Sequence, residues 1–229
     1  MFTLVLQGGT NLVATGSDAK PKLGATKDRI LTSTLALFNE RAPDRVTTSE
    51  IARSVGINEG NLYYHFKTKE ALVLALFKKF ESEAVDLVQA SARSTSTEIG
   101  VYSGFLRDWF SLVWNFRFLF RDLPALVASA PSLTEPIKAV SSGMQSAVRH
   151  MINQMMQAGF ISVPEKEQEP LLANVWIVST YWAVYLGLQE GVVNLKEEHL
   201  GWGLNQVSSL FKPYLSGEAR DALDNMLSR

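Results

Sequence analysis

The run NEGNLYYHFKTKEAL, Asn58 to Leu72, sets two tyrosines, a histidine and a phenylalanine side by side and follows them with Lys67 and Lys69. Phenol hydroxyls and an imidazole N–H can donate to phosphate oxygens while their rings rest on the protein. The two ammonium groups add the charge that displaces counterions from a phosphate backbone. Glu59, Gly60 and Asn61 stand at the head of the run, where a glycine and short polar side chains let a helix tip come close to base edges. Leu62 and Phe66 read more simply as core.

Local charge agrees with this. The chain as a whole carries a formal net charge of −1. Residues 27–80 hold nine basic and six acidic side chains, a net of +3, against 13 basic and 17 acidic, a net of −4, over the rest. A head that meets a polyanion on a body that does not would show this asymmetry. Catalysis finds little support. There is no cysteine, and the histidines at 65, 150 and 199 stand apart. No glycine-rich phosphate loop and no paired-histidine metal motif occurs, so neither an enzyme nor a cofactor is expected.

The elements that must position the run are helical. Apolar residues make up 46% of the 229 positions, enough for a substantial core. Residues 1–25 are rich in Gly, Thr, Ser and Ala and read as a flexible arm, in which Lys20 and Lys22 could touch DNA. From Thr26, Ile30, Leu31, Thr34, Leu35, Leu37 and Phe38 fall at helical spacing, and the helix should end near Arg41–Pro43. Thr47-Thr48-Ser49-Glu50 is a capping box opening a second helix. Gly56 can take the positive φ that closes it. Asn58 can cap a third helix through Phe66, and Thr68 a fourth running to about Ala90. Two short helices joined by a glycine turn after a longer one describe a helix-turn-helix, whose second short helix enters the major groove.

The rest reads as long helices at roughly 98–116, 134–158, 169–190 and 198–214, with a short one at 217–228. Pro124 should kink or bound a helix over 116–129, and residues 159–170 read as a loop. No sheet is expected. Nothing at the N-terminus reads as a signal peptide, and no stretch reads as long and apolar enough to span a bilayer, so a cytoplasmic protein without a membrane partner is expected.

The stretch TTSEIARSVGINEGNLYYHFKTKEAL closely resembles the DNA-binding signature of TetR-type transcriptional regulators: a capped helix with Ile-Ala, a Gly-hydrophobic turn, Gly-x-Leu-Tyr-x-His-Phe, then Lys-x-Lys-Glu-x-Leu. Asn58 and Asn61 stand where the family more often has Ser and Thr or Ser; both keep hydrogen-bonding ability, so only operator preference is affected. The resemblance implies an all-α fold, with a helix-turn-helix head over 26–72 and a ligand-binding and dimerisation body over 73–229. It implies that Thr47 and Thr48 hold a phosphate, that Asn58, Glu59, Gly60 and Asn61 lie at the base-reading tip, and that Tyr63, Tyr64 and His65 grip phosphates or flank bases. Lys67 and Lys69 complete the backbone contacts, and Lys27, at the start of the first helix, joins this set. Glu59 could accept from a cytosine amino group or serve as a helix-dipole partner pointing away.

TetR-type regulators dimerise through their last two long helices. Here Leu171, Val175, Val178, Trp182 and Leu186 form one stripe, and Leu200, Leu204, Val207, Phe211 and Tyr214 another. The resemblance also implies a pocket in the body, for which Phe105, Trp109, Trp114, Phe116, Met144, Met151, Met155, Trp176 and Tyr181 are the candidates. Arg107, Asp108, Arg121, Asp122 and His150 read as a solvated face. A cationic ligand would need buried carboxylates, few of which fall in these segments, so a small hydrophobic effector is expected. The expected function is a homodimeric repressor on a near-palindromic duplex operator, released by that effector. A DNA-binding protein without an inducer, or a ligand-dependent activator, stands as the alternative.

Overall fold

The structure is a computed structural model that describes residues 23–93, 99–192 and 195–227. The arm expected over 1–25 falls outside the described residues except for its end, where Leu23 already begins a helix. Among the described residues eleven α-helices follow in order: α1 Leu23–Glu40, α2 Thr48–Val55, α3 Glu59–His65, α4 Lys69–Arg93, α5 Ile99–Asn115, α6 Arg117–Arg121, α7 Leu123–Ser129, α8 Thr134–Gln157, α9 Glu165–Gln189, α10 Glu197–Phe211 and α11 Gly217–Leu227. Among the described residues no strand occurs, and a single antiparallel bridge joins Ile161 to Leu215.

The head closes around one small core. Ile30 and Phe38 of α1, Val46, Ile51 and Val55 of α2, Leu62 of α3, Phe66, and Leu72 and Leu76 of α4 are all buried. The expected capping box is complete: the Thr47 side chain accepts from the Glu50 N–H, and the Glu50 carboxylate accepts from the Thr47 N–H. The bond from Thr47 N–H, seconded by Arg41, holds the Glu50 carboxyl down to about 2. At its other end α2 is closed by Gly56 at φ 73°, which only glycine adopts without strain. The Arg29 guanidinium donates to Val55 O over 2.7 Å, a cation at the negative end of the helix dipole.

In the body, α4 packs on α8 and α5, and α9 packs on α10. Pro124 stands in the first turn of α7, so the stretch expected as one bounded helix is two, separated at Asp122. The expected loop at 159–170 is shorter than the sequence suggested. α9 already begins at Glu165, with Pro170 inside it. Glu165 and Glu167 favour the positive end of that helix, and the first turns are tied down by Tyr214 Oη donating to Glu167 (2.9 Å) and by the Arg149–Glu169 ion pair. These contacts compensate for the one backbone donor that Pro170 lacks.

α9 also corrects the expectation that no segment could span a bilayer: with 25 residues and a mean hydropathy of 1.5 in its most apolar window, it is long and apolar enough by length and composition. It is apolar because both its faces are. One packs inside the subunit through Leu171, Val175, Trp182 and Leu186, and the other carries Ile177, Tyr181, Tyr185 and Leu188 outward.

α10 is packed tightly against α9 and α5 at Gly203, where an added Cβ would lie 2.8 Å from Trp182 Cδ2 and 3.0 Å from Phe110 Cε1. Gly203→Ala should therefore destabilise the protein by about 1–3 kcal/mol, as overpacked cores do, measured as a lower urea midpoint. An unchanged midpoint would show that the Trp182 ring can yield.

Candidate nucleic-acid interface and body cavity

The helix expected to meet DNA presents one face outward. Asn58, Glu59, Gly60, Asn61, Tyr63 and Tyr64 are exposed, Tyr64 to 67%, while Leu62 and Phe66 turn into the head core. Asn58 caps the helix: its side-chain oxygen accepts from Asn61 N–H over 2.8 Å. A Cβ at Gly60 would stand 3.3 Å from that oxygen, so Gly60 keeps the cap clear as well as keeping the tip small. The Tyr64 and His65 rings meet edge to face at 5.4 Å.

Several expected DNA contacts carry bonds within the head. Thr47 Oγ1 donates to Glu50 (2.9 Å) as part of the capping box. Thr48 Oγ1 donates to Glu59 Oε1 over 2.8 Å and lies 3.1 Å from Tyr63 Oη. A threonine hydroxyl has one proton, so Tyr63 is the donor in the second bond. Glu59 thus ties the start of α2 to α3 through Thr48 and holds Tyr63 in place, a role not legible in the sequence. Lys69 Nζ donates to Pro43 O (2.9 Å) and closes the short 3-10 turn over Pro43–Arg45. Lys27 Nζ sits 5.6 Å over the Phe66 ring, next to the third helix. Lys67 is exposed.

The body contains a cavity of about 200 Å³ among α5, α8, α9, α10 and α11. Of the residues expected around a pocket, Phe105, Met151 and Met155 line it. Trp109, Met144 and Trp176 instead border a smaller void of about 30 Å³ nearby, which Phe105 shares. Trp114, Phe116 and Tyr181 line neither. Trp114 lies under the Arg117 guanidinium at 4.5 Å, Phe116 packs on Phe80 in the core, and Tyr181 points outward. The residues of the two expected dimer stripes divide by burial. Leu171, Val175, Trp182, Leu186 and Val207 are buried within the subunit. Val178, Leu200, Leu204, Phe211 and Tyr214 are half-buried, and Val175 and Phe211 line the cavity. The second apolar stripe of α9 faces out in their place, with Tyr185 stacked on Trp202 of α10 at 5.6 Å.

Arg121 and Asp122 were expected on a solvated face with Arg107, Asp108 and His150. The latter three are exposed, but Arg121 is largely covered. Held by Asp122 at 2.6 Å, its guanidinium donates to Phe38 O and Asn39 O at the end of α1. Asn39 in turn donates to Asn115 O (2.8 Å) and accepts from Phe118 N–H. This latch ties the head to α5 and α6. Nothing in the sequence marks it, because its partners lie 76 to 83 positions apart.

A sequence model described as bacterial regulatory proteins, tetR family, matches residues 30–76, and one described as a bacterial transcriptional repressor, TetR, matches 79–223. The chain belongs to the TetR family of transcriptional regulators. These are DNA-binding proteins and not enzymes, and the all-α architecture with a helix-turn-helix head is theirs. A crystal structure of a TetR-family regulator from Marinobacter aquaeolei VT8 superposes with a TM-score of 0.77 at 29% identity, over 89% of this chain and 97% of that one. The nucleoid occlusion factor SlmA of Glaesserella parasuis is 31% identical over 83 residues, 36% of this chain and 41% of that protein. The biofilm operon regulator IcaR of Staphylococcus aureus is 41% identical over 46 residues, 20% of this chain and 25% of that protein. The chain thus matches less than half the length of either curated relative.

Two outcomes test the assignment of this TetR-family head. Lys67→Ala should weaken binding to every duplex and reduce the salt slope by about one, whereas Asn61→Ala should cost about 1–3 kcal/mol on the preferred site alone; equal losses on all sequences would mean that the base-reading face lies elsewhere. Glu59→Gln keeps an acceptor for Thr48 but removes a negative charge. It should raise affinity for all duplexes alike, by fluorescence anisotropy, with the preference between sites unchanged. A selective loss on one site would make Glu59 a base reader.

Proposed function

We propose that this regulator is a homodimeric repressor that binds a near-palindromic operator in the cytoplasm and is released from it by a small hydrophobic ligand. The observation that carries the DNA half is the outward face of α3, with Asn61, Tyr63 and Tyr64 exposed on a helix whose other side is locked into the head. A recognition helix in this setting lies in the major groove, and two related by a twofold axis read half-sites one helical turn apart.

The dimer face we favour is the outer stripe of α9. Ile177, Tyr181, Tyr185 and Leu188 follow one another at spacings of four, four and three, so they share a side of the helix, and Leu188 is 77% exposed. A helix apolar all round is normally covered all round, and tyrosines suit a surface that is apolar in body and polar at the edge.

Release follows a short mechanical route. α8 lines the cavity through Val148, Met151, Ile152 and Met155, and it packs chiefly on α4. α4 runs unbroken from the head into the body, and the Arg121–Asn39 latch is the second tie. A ligand that binds one setting of α8 more tightly shifts the spacing of the two heads, by no more than its differential affinity for the two states.

The test is a gel shift on the protein's own upstream region, in which a specific complex should form and dissolve on addition of the effector. The double variant Ile177→Asp, Tyr181→Asp should sediment at 25.4 kDa, against twice that for the parent, and lose most operator affinity while keeping its helical circular dichroism. A parent that sediments as a monomer on its operator would overturn the dimer.

A further inference from the structure

The body cavity is apolar except for two hydroxyls. Tyr102 on α5 and Ser208 on α10 both line it, and both are buried, to 8% and 1% exposure. Neither Tyr102 Oη nor Ser208 Oγ has a hydrogen-bond partner. Buried polar groups are nearly always paired, and an unpaired one is costly. Two of them on one cavity, contributed by different helices, mark a place built to receive a polar atom. Among the described residues that line this cavity none is charged, so an ionic ligand would be desolvated with nothing to offset it. Burial pushes the Tyr102 phenol up from its ordinary value, so it stays protonated and able to donate.

The walls set the remaining terms. Phe105, Leu106, Met151, Ile152 and Met155 supply an apolar, adaptable surface, and Ala219, Ala222 and Leu223 of α11 close one side. α11 is stitched down by Ser216 N–H donating to Phe160 O (2.8 Å) and Ser162 N–H donating to Tyr214 O (2.9 Å). About 200 Å³ holds on the order of ten non-hydrogen atoms, judged against a 150 Å³ cavity that takes benzene.

We propose that this cavity binds a compact, uncharged, mostly apolar compound whose carbonyl-type oxygen accepts hydrogen bonds from Tyr102 and Ser208. This rests on the ligand-responsive reading above and specifies its chemistry.

Titration calorimetry on the full-length protein with acetophenone, ethylbenzene and benzoate separates the terms, because the three share a ring and differ in the polar group. Acetophenone should bind most tightly and benzoate least. Tyr102→Phe and Ser208→Ala should each lower acetophenone affinity about 2- to 10-fold, the range of one hydrogen bond, and leave ethylbenzene unchanged. Without ligand, neither variant should melt below the parent, since each removes an unpaired hydroxyl. The proposal is overturned if acetophenone gives no heat, if benzoate binds best, if both variants bind acetophenone as the parent does, or if both melt lower. Operator binding is read separately on the same samples. Acetophenone bound as described but without DNA release would leave this site standing and remove the inducer reading; release by another compound with no acetophenone binding would do the reverse.

Discussion

A seven-residue helix cannot hold itself together in water, and α3, the surface proposed to meet DNA, has seven. Its order is lent by the burial of Leu62 and Phe66 against α1, α2 and α4, by the Asn58 cap and by the Gly56 turn that sets its angle to α2. The rest of the head is arranged around keeping that short helix rigid and aimed. The bonds of Glu59 to Thr48 and of Thr48 to Tyr63 extend the same logic to its surface, since side chains fixed before docking lose less entropy on docking.

The body solves a different problem. α9 must pack inward on α10 and also leave an apolar face outside, and a sequence apolar on both sides is the result. The cavity lies on the inward side and the exposed stripe on the outward one. The α8 wall of the cavity belongs to a helix that packs on α4, and Val175 of α9 closes another part of it. The Arg121–Asn39 latch gives the head a second attachment, from the end of α1 to α5 and α6.

Features fixed by near neighbours were legible in the sequence. The Thr47–Glu50 box, the Gly56 turn and the Asn58 and Thr68 caps are each written within four residues, and each stands where expected. What depended on long-range packing was not. On α9 two apolar stripes compete, and periodicity alone does not say which one the subunit buries; the stripe at Leu171, Val175, Trp182 and Leu186 went inside. The hydroxyls of Tyr181 and Tyr185 were a usable signal, because phenols are better placed at an edge than in a core. Phe105, Met151 and Met155 were legible as cavity walls from their bulk and flexibility, whereas nothing local marks Tyr102 and Ser208, whose place on the cavity is set by how α5 and α10 pack. Arg121 looks like an ordinary surface charge until the end of α1 is folded against it.

If the outer face of α3 docks in a duplex groove, side-chain oxidation by hydroxyl radicals reads that face directly. With the upstream duplex bound, oxidation of Tyr63 and Tyr64 should fall severalfold, while exposed side chains of the body such as His150 react as before. Full reactivity of Tyr64 in a saturated specific complex would contradict the account.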